Sequence, residues 1–294
     1  MKLALSILTF CLFFTVSVNA QEAWQSRTWQ KLVHYSASNP ASEIKNADFF
    51  LSPQGQNSPE AEFLASVELL TSSDSAFDER VCRYPARALY LRSLGYDVVD
   101  VSSLCDNFKQ WQGDLTKQQV SIVYADGYLG NPASFYGHLL FKLKSEVLSR
   151  DLLSNSLNFG AKVPDNENPV AYILKGLVGG YDAKYSSNHY YRYNINYAEV
   201  EMRDLWQYTL NLTSDEKTIL IAHAWELLFT EYRYYFTHRN CAYHIAKMLE
   251  LVLEQDLISN RRPFVLPISV FSALEQATTI SGHPAVQKVE HKLS

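Results

Sequence analysis

The sequence predicts an α+β fold: an antiparallel sheet packed against helices, preceded by a helical N-terminal section. Three observations carry that expectation. Up to about residue 114, apolar residues recur at helical spacing between recognisable caps. From residue 118, short runs rich in β-branched and aromatic residues follow one another between Gly/Asn turns. From residue 213 the helical period returns.

The chain opens with "MKLALSILTFCLFFTVSVNA". Lys2 supplies a short positive segment and an apolar stretch runs from Leu3 to about Val18. The small residues Val18 and Ala20 sit where a signal peptidase reads, so residues 1–20 are expected to be an export leader cleaved before Gln21. Phe10 is too large to precede a lipoprotein-type cleavage at Cys11. No later stretch approaches the ~18 consecutive apolar residues of a membrane-spanning helix. The expectation is an exported chain whose mature part, 21–294, is one domain without a transmembrane anchor.

Within 21–114, "SPEAEFLASVELL" has Ser58 as an N-cap, and "PARALYLRSLG" opens with Pro85 in its first turn and closes on Gly95. A core section, 115–260, follows. "QQVSIVYA", "HLLFKLK" and "SNSLNFGAKV" read as strands. "YYRYNINYAEVEM" alternates, with Tyr191, Tyr193, Ile195 and Tyr197 on one face, and "RDLWQYTLNL" reads as its antiparallel partner. Thr213 and Glu216 form a capping box ahead of a helix bearing Ile219, Ala222, Trp225 or Glu226, and Phe229. After the turn "FTHRN" comes "CAYHIAKMLELVLEQ", whose core-facing set is Ala242, Ile245, Leu249 and Val252. Residues 261–294 form a C-terminal extension.

The formal charge of −5 and the lack of a basic patch speak against a nucleic-acid partner. Aromatics reach 13%, with 19 tyrosines, many in "NHYYRYNINY" and "TEYRYYF". They fit half-buried strand and helix faces or a lined acyl or peptide groove. Without the leader three cysteines remain, Cys82, Cys105 and Cys241. An exported chain with an odd count pairs two and leaves one. Cys82 and Cys105 flank a helix-like segment and are the expected disulfide, leaving Cys241 as a buried thiol, a metal ligand or a nucleophile.

The place of Cys241 favours chemistry. With Asn240 as N-cap, the sulfur stands at the first helical position, where the macrodipole and unpaired N–H groups favour a thiolate and an oxyanion. A thiol nucleophile needs an imidazole. His34, His283 and His291 lie in polar or terminal segments and read as surface; His189 adjoins the tyrosine run; His223 sits within an apolar helix. His244 is one turn from Cys241, and His238 lies in the preceding turn, placed to cap or orient it. His138, after Gly137 at the head of an apolar strand, is the best-placed base, with Asn158 in "SLNFGA" to fix its ring. Tyr234 and the Cys241 N–H are candidate oxyanion donors. The spacing of His238, Cys241 and His244 lacks the further ligands of a zinc site, so no metal and no cofactor is expected. Serine-hydrolase and phosphate-loop patterns are absent from the sequence.

The ordered set "CRYPAR", "NPASFYGHLLFKL", "LNFGA", "GLVGGYDAKY", "RDLWQYTLNLT", "HAWELL" and "YRYYFTHRNCAYHIAKMLE" resembles the Lnb N-terminal periplasmic domain family of bacteria, from roughly Cys82 to Glu254. The resemblance implies a circularly permuted papain-like fold, a periplasmic location and a His–Cys pair that falls on His138 and Cys241. The name-giving members are lipoprotein intramolecular transacylases held by transmembrane helices. An envelope lipoprotein, lipid or peptide is the substrate or partner it implies. The resulting expectation is a thiol-dependent acyltransferase or amide/ester hydrolase. The rival is a non-catalytic periplasmic domain that binds a peptide or lipid in its aromatic groove.

Overall fold

Alternation of side chains makes the sheet two-faced, and each face finds its own cover. The computed structural model describes residues 23–36, 39–72, 78–130, 135–145, 151–164, 166–259 and 262–293; the expected leader lies outside them. Seven strands form one sheet: β1 (Gln118–Ala125), β2 (His138–Ser145), β3 (Asn155–Ala161), β4 (Tyr181–His189), β5 (Leu205–Leu210), β6 (Glu231–Tyr234) and β7 (Val286–Lys292). Their spatial order is β6-β4-β3-β2-β1-β5-β7, with every pairing antiparallel. On one face Val120, Ile122, Tyr124, Leu139, Phe141, Leu157 and Phe159 enter the main core. The opposite face carries Val123, Ala125, Leu140 and Leu205 beneath Tyr190, Tyr193 and Tyr197.

The N-terminal section is helical, as expected: α1 (Arg27–Leu32), α2 (Pro59–Thr71), α3 (Pro85–Ser93), α4 (Val101–Leu104) and α5 (Asp106–Gln112). Ser58 caps α2 through the Ala61 N–H, and Pro85 opens α3. Cys82 and Cys105 form a disulfide with Cα atoms 5.5 Å apart. The section docks on α8 (Ser214–Leu227), whose capping box of Thr213 and Glu216 is formed. Arg87 on α3 lies fully buried between Glu62 of α2, with which it pairs, and Glu226 of α8, 3.5 Å from its Nε. Glu226 Oε1 also accepts from the Ala86 and Arg87 N–H groups at 2.7 and 3.0 Å. Burial pushes Glu226 up to about 7, against the opposing pull of Arg87 and those two amides. The α8 face turned inward therefore includes Glu226 as well as Leu220, His223 and Leu227, whereas Phe229 is exposed.

One strand expectation fails. Residues 190–200 are helical, as α7 (Tyr190–Asn194) and a π-turn over Ile195–Val200. Tyr190, Tyr193 and Tyr197 have the i, i+3, i+7 spacing of a helix and cover the second sheet face. β5 accordingly pairs with β1 and β7. The remaining helices are α6 (Pro169–Val178), α9 (Cys241–Leu249) and α10 (Pro267–Glu275). The C-terminal extension contributes α10 against α9 and β7 at the sheet edge. No helix among the described residues is long and apolar enough to cross a membrane.

Removing one member of the Arg87 cluster strands buried charge. Arg87→Ala is expected to lower unfolding free energy by about 3–5 kcal/mol, read from urea denaturation; a loss within ordinary surface-substitution range contradicts this account of how the sections are joined.

Candidate active site

The helix start at Asn240 is built by side-chain capping. Asn240 has extended backbone, and its Oδ1 accepts from the Ala242 and Tyr243 N–H groups at 3.1 and 3.2 Å. Its Nδ2 donates to the carbonyls of Phe236 and Val265 at 3.1 and 2.9 Å, tying the turn and the C-terminal extension to the same point. Cys241 is thereby the first residue of α9, 3% exposed and free of any disulfide. α9 packs against β2 and β3.

His138 opens β2, and the sequence provides the bend that puts it there. Gly137 has φ +96°, and a Cβ at this position would lie 2.3 Å from the Tyr124 ring and 2.8 Å from the Ala125 carbonyl oxygen. Only glycine fits this approach. Asn158 on β3 stands opposite Leu140, two residues along the same face from His138. Its Oδ1 lies 2.5 Å from His138 Nε2. An amide oxygen accepts only, so Nε2 carries the proton and Nδ1 is the ring nitrogen left to face the sulfur.

Thiol and imidazole are hydrogen-bonded to each other. Burial alone would lower the His138 pKa, but the Cys241 charge and the bonds to Cys241 and Asn158 outweigh it and raise the value above the ordinary imidazole range. Burial alone would raise the Cys241 thiol; the His138 charge and hydrogen bond, with the Leu139 and Ala242 N–H groups, pull it below its ordinary range. Each shift favours the charged form of its group, the Cys241 thiolate and the His138 imidazolium.

Tyr234 is buried on β6 with its ring stacked 6.0 Å from Phe159, and its hydroxyl accepts from the Cys241 N–H. Burial first, then the Cys241 charge, hold its pKa well above the ordinary phenol value, so the hydroxyl keeps its proton. Two further residues were not anticipated as part of this site. Tyr197 lies 5.7 Å from the His138 ring, and the buried Arg203 guanidinium sits 4.6 Å over Tyr197. Arg203 also donates to the Ala125 and Asp126 carbonyls at 2.9 and 2.5 Å, fixing the end of β1 beside His138. Arg203 heads the motif "RDLWQYTLNLT", which was the signal available for finding it.

The other named histidines are elsewhere. His244, expected near the sulfur, points into the core: its ring stacks 4.1 Å from Phe159 and 4.3 Å from Tyr232, and burial holds its pKa well below the usual value. One helical turn brings backbones together, but the inward face of α9 carries the ring to the sheet. His238 Nδ1 lies 2.9 Å from Thr237 Oγ1, with its ring 4.6 Å from Tyr235. No group of three His, Cys, Asp or Glu side chains among the described residues is arranged to hold a metal. His34 is buried rather than at the surface, its ring 5.4 Å from that of His223.

A groove of about 440 Å³ reaches Cys241 and Asn240 between apolar walls that include Leu129, Phe135, Ile173, Leu177, Phe236 and Phe264. A larger cavity, about 870 Å³, lies between α1 and α9 and does not include the sulfur. Its cations Arg27, Lys31 and Lys247 are engaged with Asp256 and Glu250.

A family model of the Lnb N-terminal periplasmic domain matches residues 107–276, and one described as a domain of unknown function matches residues 21–94. No curated protein and no solved structure matches the chain. The first match holds β1 to β6, α9, and the positions of His138, Asn158, Tyr234 and Cys241. With more than half of its length matched, the chain belongs to the Lnb N-terminal periplasmic domain family.

Proposed function

We propose that the chain is an exported, thiol-dependent acyl-transfer enzyme of the periplasm, with Cys241 as nucleophile, His138 as proton carrier and Asn158 as the group that fixes the imidazole. The observation that carries this reading is the Cys241–His138–Asn158 chain of hydrogen bonds at a helix start. A helix-borne thiol facing a strand-borne histidine is the papain-type arrangement, and here the histidine strand comes first, which supports a circularly permuted papain-like fold.

The chemistry follows from the charges. Sγ⁻ attacks the carbonyl carbon of an ester or amide, and the π electrons move to oxygen. The Tyr234 hydroxyl, polarised by the Cys241 N–H, is the proposed donor to the developing oxyanion. The tetrahedral intermediate collapses, His138 protonates the departing alcohol or amine, and a thioester remains on Cys241. An amine, alcohol or water then attacks the thioester, His138 takes the acceptor's proton, and the thiolate leaves. The apolar groove supports a lipid- or peptide-linked acyl substrate of the envelope.

Iodoacetamide is expected to label Cys241 at about pH 6 much faster than a model thiol of ordinary pKa, and His138→Ala to slow it towards the model rate. Labelling that is ordinary and unchanged by His138→Ala favours a non-catalytic peptide- or lipid-binding domain. With a p-nitrophenyl acyl ester, intact-mass measurement is expected to find an acyl adduct that Cys241→Ala abolishes. Tyr234→Phe, which keeps the ring packing, is expected to slow acylation by roughly 10²-fold while leaving iodoacetamide labelling fast. Equal losses in both assays would assign Tyr234 to thiol positioning instead.

A further inference from the structure

The chain between α7 and β5 is bent twice. Ile195–Val200 form the π-turn, and Met202 follows at φ +51°, a left-handed conformation that costs a non-glycine residue free energy. Met202 is 77% exposed, so its own packing does not offset that cost. What the bends secure is a pair of hydrogen bonds, from the Glu201 N–H to the Asn196 carbonyl at 3.0 Å and from the Arg203 N–H to the Tyr197 carbonyl at 2.8 Å. Arg203 is thereby folded back on Tyr197. Its buried guanidinium lies 4.6 Å over the ring, a cation–π contact sheltered from water. The same guanidinium donates to the carbonyl of Ala125, the residue paired with His138 across β1 and β2. Tyrosine ring and imidazole are thus set from one point, and their centroids are 5.7 Å apart with the planes at 52°. Burial first, opposed by Arg203 and aided by the Cys241 charge, holds the Tyr197 pKa above the ordinary phenol value, so the ring stays neutral beside the pair.

We infer that Tyr197 is a positioning residue, whose ring holds the His138 imidazole in the orientation that meets Cys241 and Asn158 together. The inference rests on the proposed thiol chemistry and names a support which that chemistry needs. The His138–Asn158 bond is only partly buried. The bond from His138 to the sulfur is broken whenever Cys241 carries an acyl group. At that stage Asn158 and the Tyr197 ring are what hold the imidazole ready for the acceptor's proton. A ring tied at one nitrogen swings about that tie, and small misplacements at a reacting group are costly in rate. Tyr197 packs on the sheet-face cluster that includes Ala125 and Leu140 and is clamped by Arg203, so its own position is fixed. Its contact with His138 therefore removes the swing without having to order a mobile side chain first.

The test compares the full chain with Tyr197→Phe, Tyr197→Leu and Tyr197→Ala. Tyr197→Phe keeps the ring and is expected to label with iodoacetamide at the wild-type rate at about pH 6. Tyr197→Ala is expected to label more slowly by roughly tenfold. Tyr197→Leu keeps apolar cover over the sheet, and is expected to show the same slowing with an unchanged thermal melt; it decides the matter should the alanine variant not fold. In proton NMR, the downfield His138 Nε2–H resonance, identified by its absence from His138→Ala, is expected in the wild type and Tyr197→Phe. It is expected to be lost to exchange with water in Tyr197→Leu. Wild-type labelling with an intact resonance in Tyr197→Leu overturns the inference, as does absence of the resonance from the wild type. Slow labelling of Tyr197→Phe overturns it too, since the hydroxyl and not the ring is then at work. A wild type that labels no faster than His138→Ala overturns the thiol reading and this inference with it. Fast, His138-dependent labelling that Tyr197→Leu leaves unchanged overturns this inference alone.

Discussion

A sulfur anion and an imidazolium held out of water destabilise one another's surroundings unless each is the other's counter-ion. At Cys241 and His138, desolvation opposes both charges, and their mutual attraction, aided by the Leu139 and Ala242 N–H groups, overcomes it. Coulomb attraction is strong only at contact and in low dielectric. The pair therefore depends on structure that holds two separate elements, a strand and a helix, at hydrogen-bonding distance. Gly137 makes the approach of β2 possible, Asn158 orients the ring, Asn240 sets the first turn of α9, and Arg203 anchors the end of β1.

Support for this contact extends through the chain. Asn240 reaches both the turn before α9 and Val265 in the C-terminal extension, so a single amide links segments on both sides of the helix. Behind α9 lies α8, fastened to the N-terminal section by the buried Arg87 cluster. Such a cluster gains little net stability over apolar packing, but it is intolerant of a missing partner. It joins residues from both family-matched regions, 21–94 and 107–276, into one hydrophobic interior that runs from Ala23 to Ala285.

What was legible in the sequence was what local chemistry determines. The capping box at Thr213 and Glu216, the Asn240 cap, Pro85 at a first turn and the strands β1 to β3 follow from neighbours a few residues apart. The disulfide followed from cysteine count and the expectation of export. Residues 190–200 were ambiguous because tyrosines at 191, 193 and 197 satisfy a strand period while 190, 193 and 197 satisfy a helical one; tertiary cover of the second sheet face decided it. His34 and His244 were misplaced because burial of a polar ring depends on distant aromatic partners, such as Tyr232, that no local pattern announces. Proximity of His138 and Asn158 was anticipated from neighbouring strands, but their exact offset belongs to the β2–β3 register.

The Cys82–Cys105 bond has a bearing on how the chain must be made. Cys82, Cys105 and Cys241 allow three single bridges: 82–105, 82–241 and 105–241. Two of these consume the helix-start sulfur, so oxidative refolding from a reduced, unfolded pool has two dead ends for one useful outcome. Shuffling requires a thiolate to reach a disulfide sulfur, and in the finished fold Cys241 lines a groove whose walls include neither Cys82 nor Cys105. The order of events thus matters: closure of the short N-terminal loop before Cys241 is synthesised joins Cys82 to Cys105 while no third thiol competes for either.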